Sequence, residues 1–249
     1  MIGLYLIFIA CIYLSPYMLS DIWGHYILTY GCESIIVRVC IPWILSLIVY
    51  WAYGTFWLLI DYYQITIFAR LQPIKTNRTN SVLNCVKVVL INQVGVLLPT
   101  IYILDYGSQI DFSIELPSAT EIFIQLIQVF IAGEIFYYYM HRCLHHKLIY
   151  RHIHKIHHEY ITPIGIASLY CHPIEMLVGN TLTLIGPLYL FNVHGYVLYL
   201  GIILGFFESV ADHAGYDTKG NFHDKHHELF NCNYGTFKFL DYLHGTLIE

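Results

Sequence analysis

Seven histidines fall within the 18 residues from His141 to His158 (His141, His145, His146, His152, His154, His157 and His158), where a frequency of 15 in 249 would place about one. They form an HRCLHH run at His141–His146 and an HKIHH run at His154–His158, and an HDKHH run follows at His223–His227. Residues three and four apart share a helix face. His141 with His145, His154 with His157 and His158, and His223 with His226 and His227 are therefore each expected to project imidazoles one way, as a two- or three-toothed metal claw.

Eight or more imidazoles exceed the needs of one metal. A structural zinc is closed by four ligands and a catalytic zinc holds three plus water, so the supply fits two ions with open positions. Imidazole suits iron, zinc, copper and nickel, and zinc outcompetes Fe(II) for such donors, so ligand type leaves the metal open. Context favours redox chemistry, because the sequence has no HExxH general base and no obvious nucleophile beside the histidines. A zinc-dependent membrane hydrolase is the enzymatic alternative, and it predicts turnover without O2 or reductant. A histidine-rich metal transporter is the non-enzymatic one; it calls for ionisable ligands in mid-span, whereas these lie beyond the span ends.

The core ligand set is His141, His145, His154, His157, His158, His223, His226 and His227. His146, one position off the His141 face, and His213, at the end of the last apolar run, are further ligand candidates. His172 opens an HPIE run in which proline can begin a helix and Glu175 can accept a hydrogen bond from a metal-bound imidazole; a simple helix cap is the other reading. Glu134 lies seven residues, about 10 Å, before His141 inside an apolar run, either bonded to an imidazole or paired elsewhere. Asp212, beside His213, joins His172, Glu175 and Glu134 as a residue that ligates or supports a ligand. His152 reads as a residue that supports a ligand or lies on the surface, and the isolated His25, His194 and His244 read as interfacial. Phe136, Tyr137, Tyr138 and Tyr139 read as an interfacial aromatic belt.

The elements that must carry these residues are membrane helices. The chain is 57% hydrophobic and 12% charged, with mean hydropathy +0.57, against roughly 25% charged for a soluble domain. Apolar runs at Ile2–Leu19, Cys40–Leu59, Val82–Leu104 and Ile122–Met140 approach the ~20 residues that cross a bilayer. Two shorter arms, Met176–Phe191 and Tyr196–Ala211, form a hydrophobic hairpin that either crosses or re-enters, with both ends on one side. With Met1 in the cytosol, Arg70, Lys75, Arg78, Arg142, Lys147, Arg151, Lys155, Lys219, Lys225 and Lys238 fall on the cytosolic side. The opposite loops, Ser20–Arg38 and Asp105–Thr120, hold only Arg38, a positive-inside pattern. The fold class is thus all-α: a polytopic membrane protein with four transmembrane helices, a hydrophobic hairpin and a cytosolic histidine-rich cap.

Met1–Tyr17 is apolar without a basic leader or small-residue cleavage site and reads as a retained anchor. The seven cysteines are scattered and never spaced CxxC, which suggests neither a disulfide framework nor a zinc ribbon. A net charge of −5 without a basic stripe gives no reason to expect nucleic acid.

The three boxes, the YCHPIE stretch at Tyr170–Glu175 and the DHAGYD stretch at Asp212–Asp217 resemble the sterol desaturase and fatty acid hydroxylase superfamily over roughly residues 120–249. The flanks of the second box are similar to sterol 4-methyl oxidases, and FNCNYG at Phe230–Gly235 is similar to cholesterol 25-hydroxylases. The resemblance implies a membrane-bound di-iron (Fe2+/Fe3+) oxygenase acting on a sterol, with a fatty acyl chain, alkane or aldehyde as the alternative substrate. It implies electrons from NAD(P)H through a separate cytochrome b5-type donor at the cytosolic face of the endoplasmic reticulum; with basic surface scarce, Arg142, Lys147, Arg151 and Lys155 are the residues expected to receive that donor. It divides the chain into an anchor hairpin (1–64), a basic cytosolic connector (65–80) and a di-iron hydroxylase domain (81–249). Two features depart from the superfamily pattern: His223 follows His213 by only ten positions, and Leu240 stands where an aromatic residue is expected.

Overall fold

A chain this apolar must satisfy its backbone hydrogen bonds within itself, and helices do so locally. The computed structural model describes residues 2–65, 70–72, 82–216 and 222–248. Among these the structure is helical, with a lone bridge between Arg70 and Tyr216 as its only β pairing. The long helices are α1 (Ile2–Tyr30), α2 (Ile36–Tyr62), α3 (Val82–Tyr106), α4 (Ala119–Leu144) and α5 (Gly195–Asp212). Two short helices, α6 (Phe222–Leu229) and α7 (Lys238–His244), follow.

Helices α2 to α5 are long and apolar enough to cross a membrane. The expected spans at 40–59, 82–104 and 122–140 lie inside α2, α3 and α4. The run at 2–19 lies inside α1, where the side chains of residues 2–9 and 11 are outside the described set. Lys75, Arg78, Lys219 and most of the 65–80 connector are outside it too, as is the middle of the short loop before His223.

The two arms of the hairpin differ. Its second arm is α5, a regular helix of 18 residues. Its first arm is broken into Pro173–Glu175, a π-turn at Met176–Thr181, Leu182–Leu184 and Gly186–Leu190. The arms approach at glycine width, since a Cβ on Gly201 would lie 2.5 Å from Leu188 and one on Gly205 2.7 Å from Leu184. The tip settles whether the hairpin spans the bundle. Asn192 Oδ1 accepts from Gln109 N at 2.7 Å, and Gly195 N donates to Asp111 O at 2.8 Å. Trp23, near the end of α1, donates to Ser113 O in the same loop. The tip therefore sits at the face where α1 and α3 end, and the hairpin runs the full depth of the bundle.

Helix α5 is the central element: 56% of its span is buried, against 22% for α4. It packs along α2, and one apolar core runs from Trp23 to Tyr216. Outward residues such as Ile48, Leu83, Ile91, Ile103 and Ile131 are exposed, as lipid contact requires. A capping box fixes the start of α4: Ser118 Oγ accepts from Glu121 N and the Glu121 carboxylate accepts from Ser118 N. That start sets the register which brings His141 to the opposite face.

Candidate metal centre

Four elements meet where α4 and α5 end. Helix α4 supplies His141 with His145 just beyond it, a 3-10 helix at His154–Glu159 supplies His154, His157 and His158, the residue after α5 is His213, and α6 supplies His223, His226 and His227. Nine of the ten candidate histidines converge in two groups: His141, His145, His154, His158 and His226; and His157, His213, His223 and His227. Within each group the potential ligand atoms all lie within 4.8 Å of one another. The groups are neighbours, with the His158 and His227 rings 4.8 Å apart.

The boxes are not separate claws. In each, the pair four apart shares a group (His141 with His145, His154 with His158, His223 with His227), while the histidine at the third position, His157 or His226, serves the other group. On α6 successive side chains diverge by about 100°, and the His226 and His227 rings stand at 89° to each other. Adjacent histidines thus face different groups, which corrects the one-direction expectation.

The imidazoles meet through Nε2. In the first group the spacings are 3.2 Å for His141–His154, 3.0 Å for His154–His158, 3.2 Å for His145–His158, 3.1 Å for His145–His226 and 3.2 Å for His158–His226. In the second, His213 is 3.1 Å from both His157 and His223. With metal–nitrogen bonds of roughly 2.1 Å, donors at right angles stand about 3.0 Å apart and tetrahedral donors about 3.4 Å. The observed edges fit sites with more than four positions.

Proton placement points the same way. Nδ1 of His141, His226, His213 and His157 faces the backbone carbonyls of Tyr234 (2.7 Å), Cys232 (2.7 Å), Ser209 (2.9 Å) and Tyr170 (3.3 Å). A carbonyl only accepts, so these Nδ1 atoms carry the proton and each Nε2 of the neutral ring is a bare lone pair. His157 and His213 then direct lone pairs at one another across 3.1 Å, an arrangement that a cation between them makes favourable. His227 has both ring nitrogens buried without a protein partner. Burial pushes His157 down to about 4, His213 to about 3 and His145 to about 2. It holds His154, His158, His223, His226 and His227 well below the usual imidazole value. Neutral imidazole is the metal-binding form.

The remaining candidates separate clearly. Glu175 is buried, which raises its carboxyl well above the ordinary value, and its Oε1 lies 2.7 Å from His154 Nδ1. Glu134 meets no imidazole; it accepts from Thr236 N at 2.9 Å and Phe237 N at 3.3 Å and so ties the C-terminal segment to α4. Asp212 lines the cavity described below. His146 is exposed and caps the turn at Lys147–Tyr150, accepting from Leu148 N. His172 likewise caps Pro173–Glu175, accepting from Ile174 N at 3.1 Å. Neither belongs to a group. His194 caps α5, and His244 meets Tyr139 at 3.0 Å.

Beneath the histidines lies a cavity of about 1020 Å³, at the upper end of the ~300–1,000 Å³ usual for small-molecule sites. His141, His154, His157 and His213 form part of its wall, and it reaches Val129 on α4 and Gly201 on α5. Each lies 12 residues before its histidine, about 18 Å at 1.5 Å per residue. Tyr53, Phe56 and Trp57 of α2, with Leu184, Leu204 and Phe207, make much of its wall apolar. Sequence reasoning missed Tyr137, which lines this cavity, and Tyr138, which is fully buried; of the four aromatics expected in a belt, Phe136 and Tyr139 are exposed. It also missed Asp241, a buried carboxylate that accepts from Tyr234 N and Gly235 N; only its apolar neighbours hinted that it was inside.

Comparison with known proteins gives a consistent set. A model of the fatty acid hydroxylase family matches residues 126–246. A Dictyostelium discoideum protein provisionally named a methylsterol monooxygenase is 34% identical over 193 residues, covering 71% of each chain. A very-long-chain aldehyde decarbonylase of Oryza sativa subsp. indica is 34% identical over 201 residues, covering 72% of this chain and 75% of its own. A methylsterol monooxygenase of Aspergillus fumigatus is 30% identical over 219 residues, covering 80% of this chain and 74% of its own. No solved structure matches.

Proposed function

Because this chain belongs to the fatty acid hydroxylase family and is an O2-dependent oxidoreductase of it, we propose that it is a membrane-bound non-haem di-iron oxygenase that oxidises a methylated sterol. The observation that carries this is the pairing of two imidazole groups, with Nε2 edges of 3.0–3.2 Å in the first, at the head of a deep, largely apolar cavity. His141, His145, His154, His158 and His226 would hold one iron, and His157, His213, His223 and His227 the other.

The bound irons would supply O2 activation and C–H oxidation. The protein contributes position and exclusion. Carbonyls of Tyr234, Cys232, Ser209 and Tyr170 keep the Nδ1 protons of four ligands turned away from the metals. Glu175 stands 2.7 Å from Nδ1 of a fifth, His154; burial raises its carboxyl well above the ordinary value, and the positive charge of bound irons would favour the carboxylate that accepts this proton. The apolar walls from α2, α4 and α5 admit a lipid and keep water from the reacting carbon. A rigid polycyclic lipid fits a cavity about 18 Å deep that lies between spans. In this scheme residues 81–249 form the hydroxylase domain, 1–64 the anchor whose α2 walls the cavity, and 65–80 the connector.

The basic residues Arg142, Lys147, Arg151 and Lys155 are exposed on the histidine face. They would receive a separate cytochrome b5-type donor carrying electrons from NAD(P)H, on the cytosolic face of the endoplasmic reticulum. The names of the methylsterol monooxygenases support the sterol, and that of the aldehyde decarbonylase keeps a long-chain aldehyde as the second substrate.

Anaerobic purification in detergent, metal analysis and Mössbauer spectroscopy of iron-57 enriched protein before and after O2 test the centre. Supply of a 4-methylsterol with reductant tests the substrate. Two irons per chain and reductant-dependent loss of the sterol methyl hydrogens are expected. Stoichiometric zinc under iron-replete expression, with turnover indifferent to O2, would refute the proposal.

A further inference from the structure

Tyr137 stands one turn before His141 on α4, about 6 Å along the axis. Its ring packs against the His141 imidazole at 5.1 Å between centroids and 41°, and it forms part of the cavity wall. Phe136 and Tyr139 on either side of the helix face outward and are exposed. Among the described residues the Tyr137 hydroxyl makes no hydrogen bond, whereas Tyr138 bonds Thr246 at 3.0 Å and Tyr139 bonds His244 at 3.0 Å. The hydroxyl opens on the largely apolar cavity without a protein partner, so a ligand oxygen that meets it gains a hydrogen bond shielded from water.

The rest of the wall limits which ligand oxygen that is. Glu134, Glu175, Glu208 and Asp212 line the cavity, and no lysine or arginine does among the described residues. A lipid carboxylate or phosphate finds no side-chain cation there and faces four acidic groups, while a neutral hydroxyl needs only a donor or acceptor. Ser168 and Thr183 also bring hydroxyls to the wall, and Tyr137 supplies the phenol donor whose ring packs on His141.

We propose that Tyr137 determines substrate specificity by donating a hydrogen bond to the hydroxyl oxygen of a neutral lipid alcohol, which holds a carbon close to that hydroxyl beneath the histidine groups. The proposal rests on the reading of the cavity as the lipid site. It does not require turnover, so it can be tested by binding alone.

The test compares the full-length holoprotein in detergent with its Tyr137→Phe variant. Equilibrium affinity is measured for two matched pairs: a 4-methylsterol with its 3-hydroxyl and the 3-deoxy analogue, and a long-chain primary alcohol and the corresponding alkane. Wild-type protein is expected to prefer the hydroxylated member of at least one pair by about five- to tenfold, the worth of one buried hydrogen bond. Tyr137→Phe should lose that preference while its affinity for the deoxy member and its metal content stay at wild-type values. Preference in the alcohol pair alone would support Tyr137 while refuting the sterol. Equal weakening for both members of a pair, an unchanged preference in the variant, or no binding of either pair by the wild type would overturn the proposal.

Discussion

Replacing His226 and His227 together should leave no metal bound at wild-type strength, whereas replacing His226 with His154, 72 residues away, should leave one untouched. The difference follows from group membership: His154 and His226 belong to the five-imidazole group, and His227 to the four-imidazole group. Removing only the partner that orients a ligand typically costs 10–100-fold in metal affinity, and removing a donor costs at least that, about 1.4–2.8 kcal/mol. In His154→Ala with His226→Ala both losses fall on one site, at least 10²-fold, and the other retains its four donors. In His226→Ala with His227→Ala each site loses one donor. Chelator titration with metal counted by mass spectrometry reads this directly. The wild type should release two tightly held metals, the same-group variant one tight and one weak, and the adjacent-residue variant none at wild-type strength. Melting of the metal-free proteins checks that all three fold. A wild-type-tight metal retained in His226→Ala with His227→Ala would show that each histidine box serves one metal, and the group assignment would fall.

Glu175→Gln keeps an acceptor for His154 Nδ1 but removes its charge, so it should weaken the five-imidazole site by about tenfold, and Glu175→Leu, which leaves that N–H unpaired, by nearer a hundredfold in the same titration. His146→Ala and His172→Ala, which remove only turn caps, should keep full metal content and cost about 1 kcal/mol or less in thermal unfolding. Acid should destabilise the metal-free protein. His157, His213 and His145 have folded values near 4, 3 and 2, below about 6.5 in the unfolded chain. The unfolded state therefore takes up protons first, and stability is complete above about pH 6.5 and falls as pH drops toward those values. Each group contributes up to about 1.4 kcal/mol per pH unit, so denaturant midpoints that do not move between pH 7 and 5 would contradict the burial of these rings.

Much of this arrangement was legible in the sequence, because bilayer crossing leaves a strong signal: the apolar runs that became α2, α3 and α4 need about 20 residues each, and few other structures use such runs. The histidine boxes were legible for a similar reason, since no common structural use concentrates imidazoles so densely. What was not legible depended on side-chain direction. The assignment of His157 and His226 away from their own boxes arises from the divergence of successive residues around short turns packed between two sites. The inward turn of Tyr137, flanked by outward Phe136 and Tyr139, is invisible to composition, since all three are aromatic. The broken first arm of the hairpin reflects Pro173, Pro187 and the close approach of Leu184 and Leu188 to the glycines of α5, a tertiary fit that hydropathy cannot report.

The C-terminal segment explains why two flanking motifs pointed to different substrates. No residue of Phe230–Gly235 lines the cavity, where this segment contributes Thr236 and Phe237. Its carbonyls at Cys232 and Tyr234 instead accept the Nδ1 protons of His226 and His141, two members of one imidazole group. Asn233 between them fixes the turn, donating to Phe222 O at 3.0 Å and Ile248 O at 2.9 Å from a backbone at φ 53°. Asp241 then holds Tyr234 and Gly235 through their N–H groups, and Glu134 holds Thr236 and Phe237. A stretch with these tasks is constrained by the need to orient imidazoles, whatever lipid lies below. Likeness in it reports the histidine groups, and the substrate is to be sought in the residues that face the cavity: Tyr137, Phe207, Leu204 and the α2 aromatics.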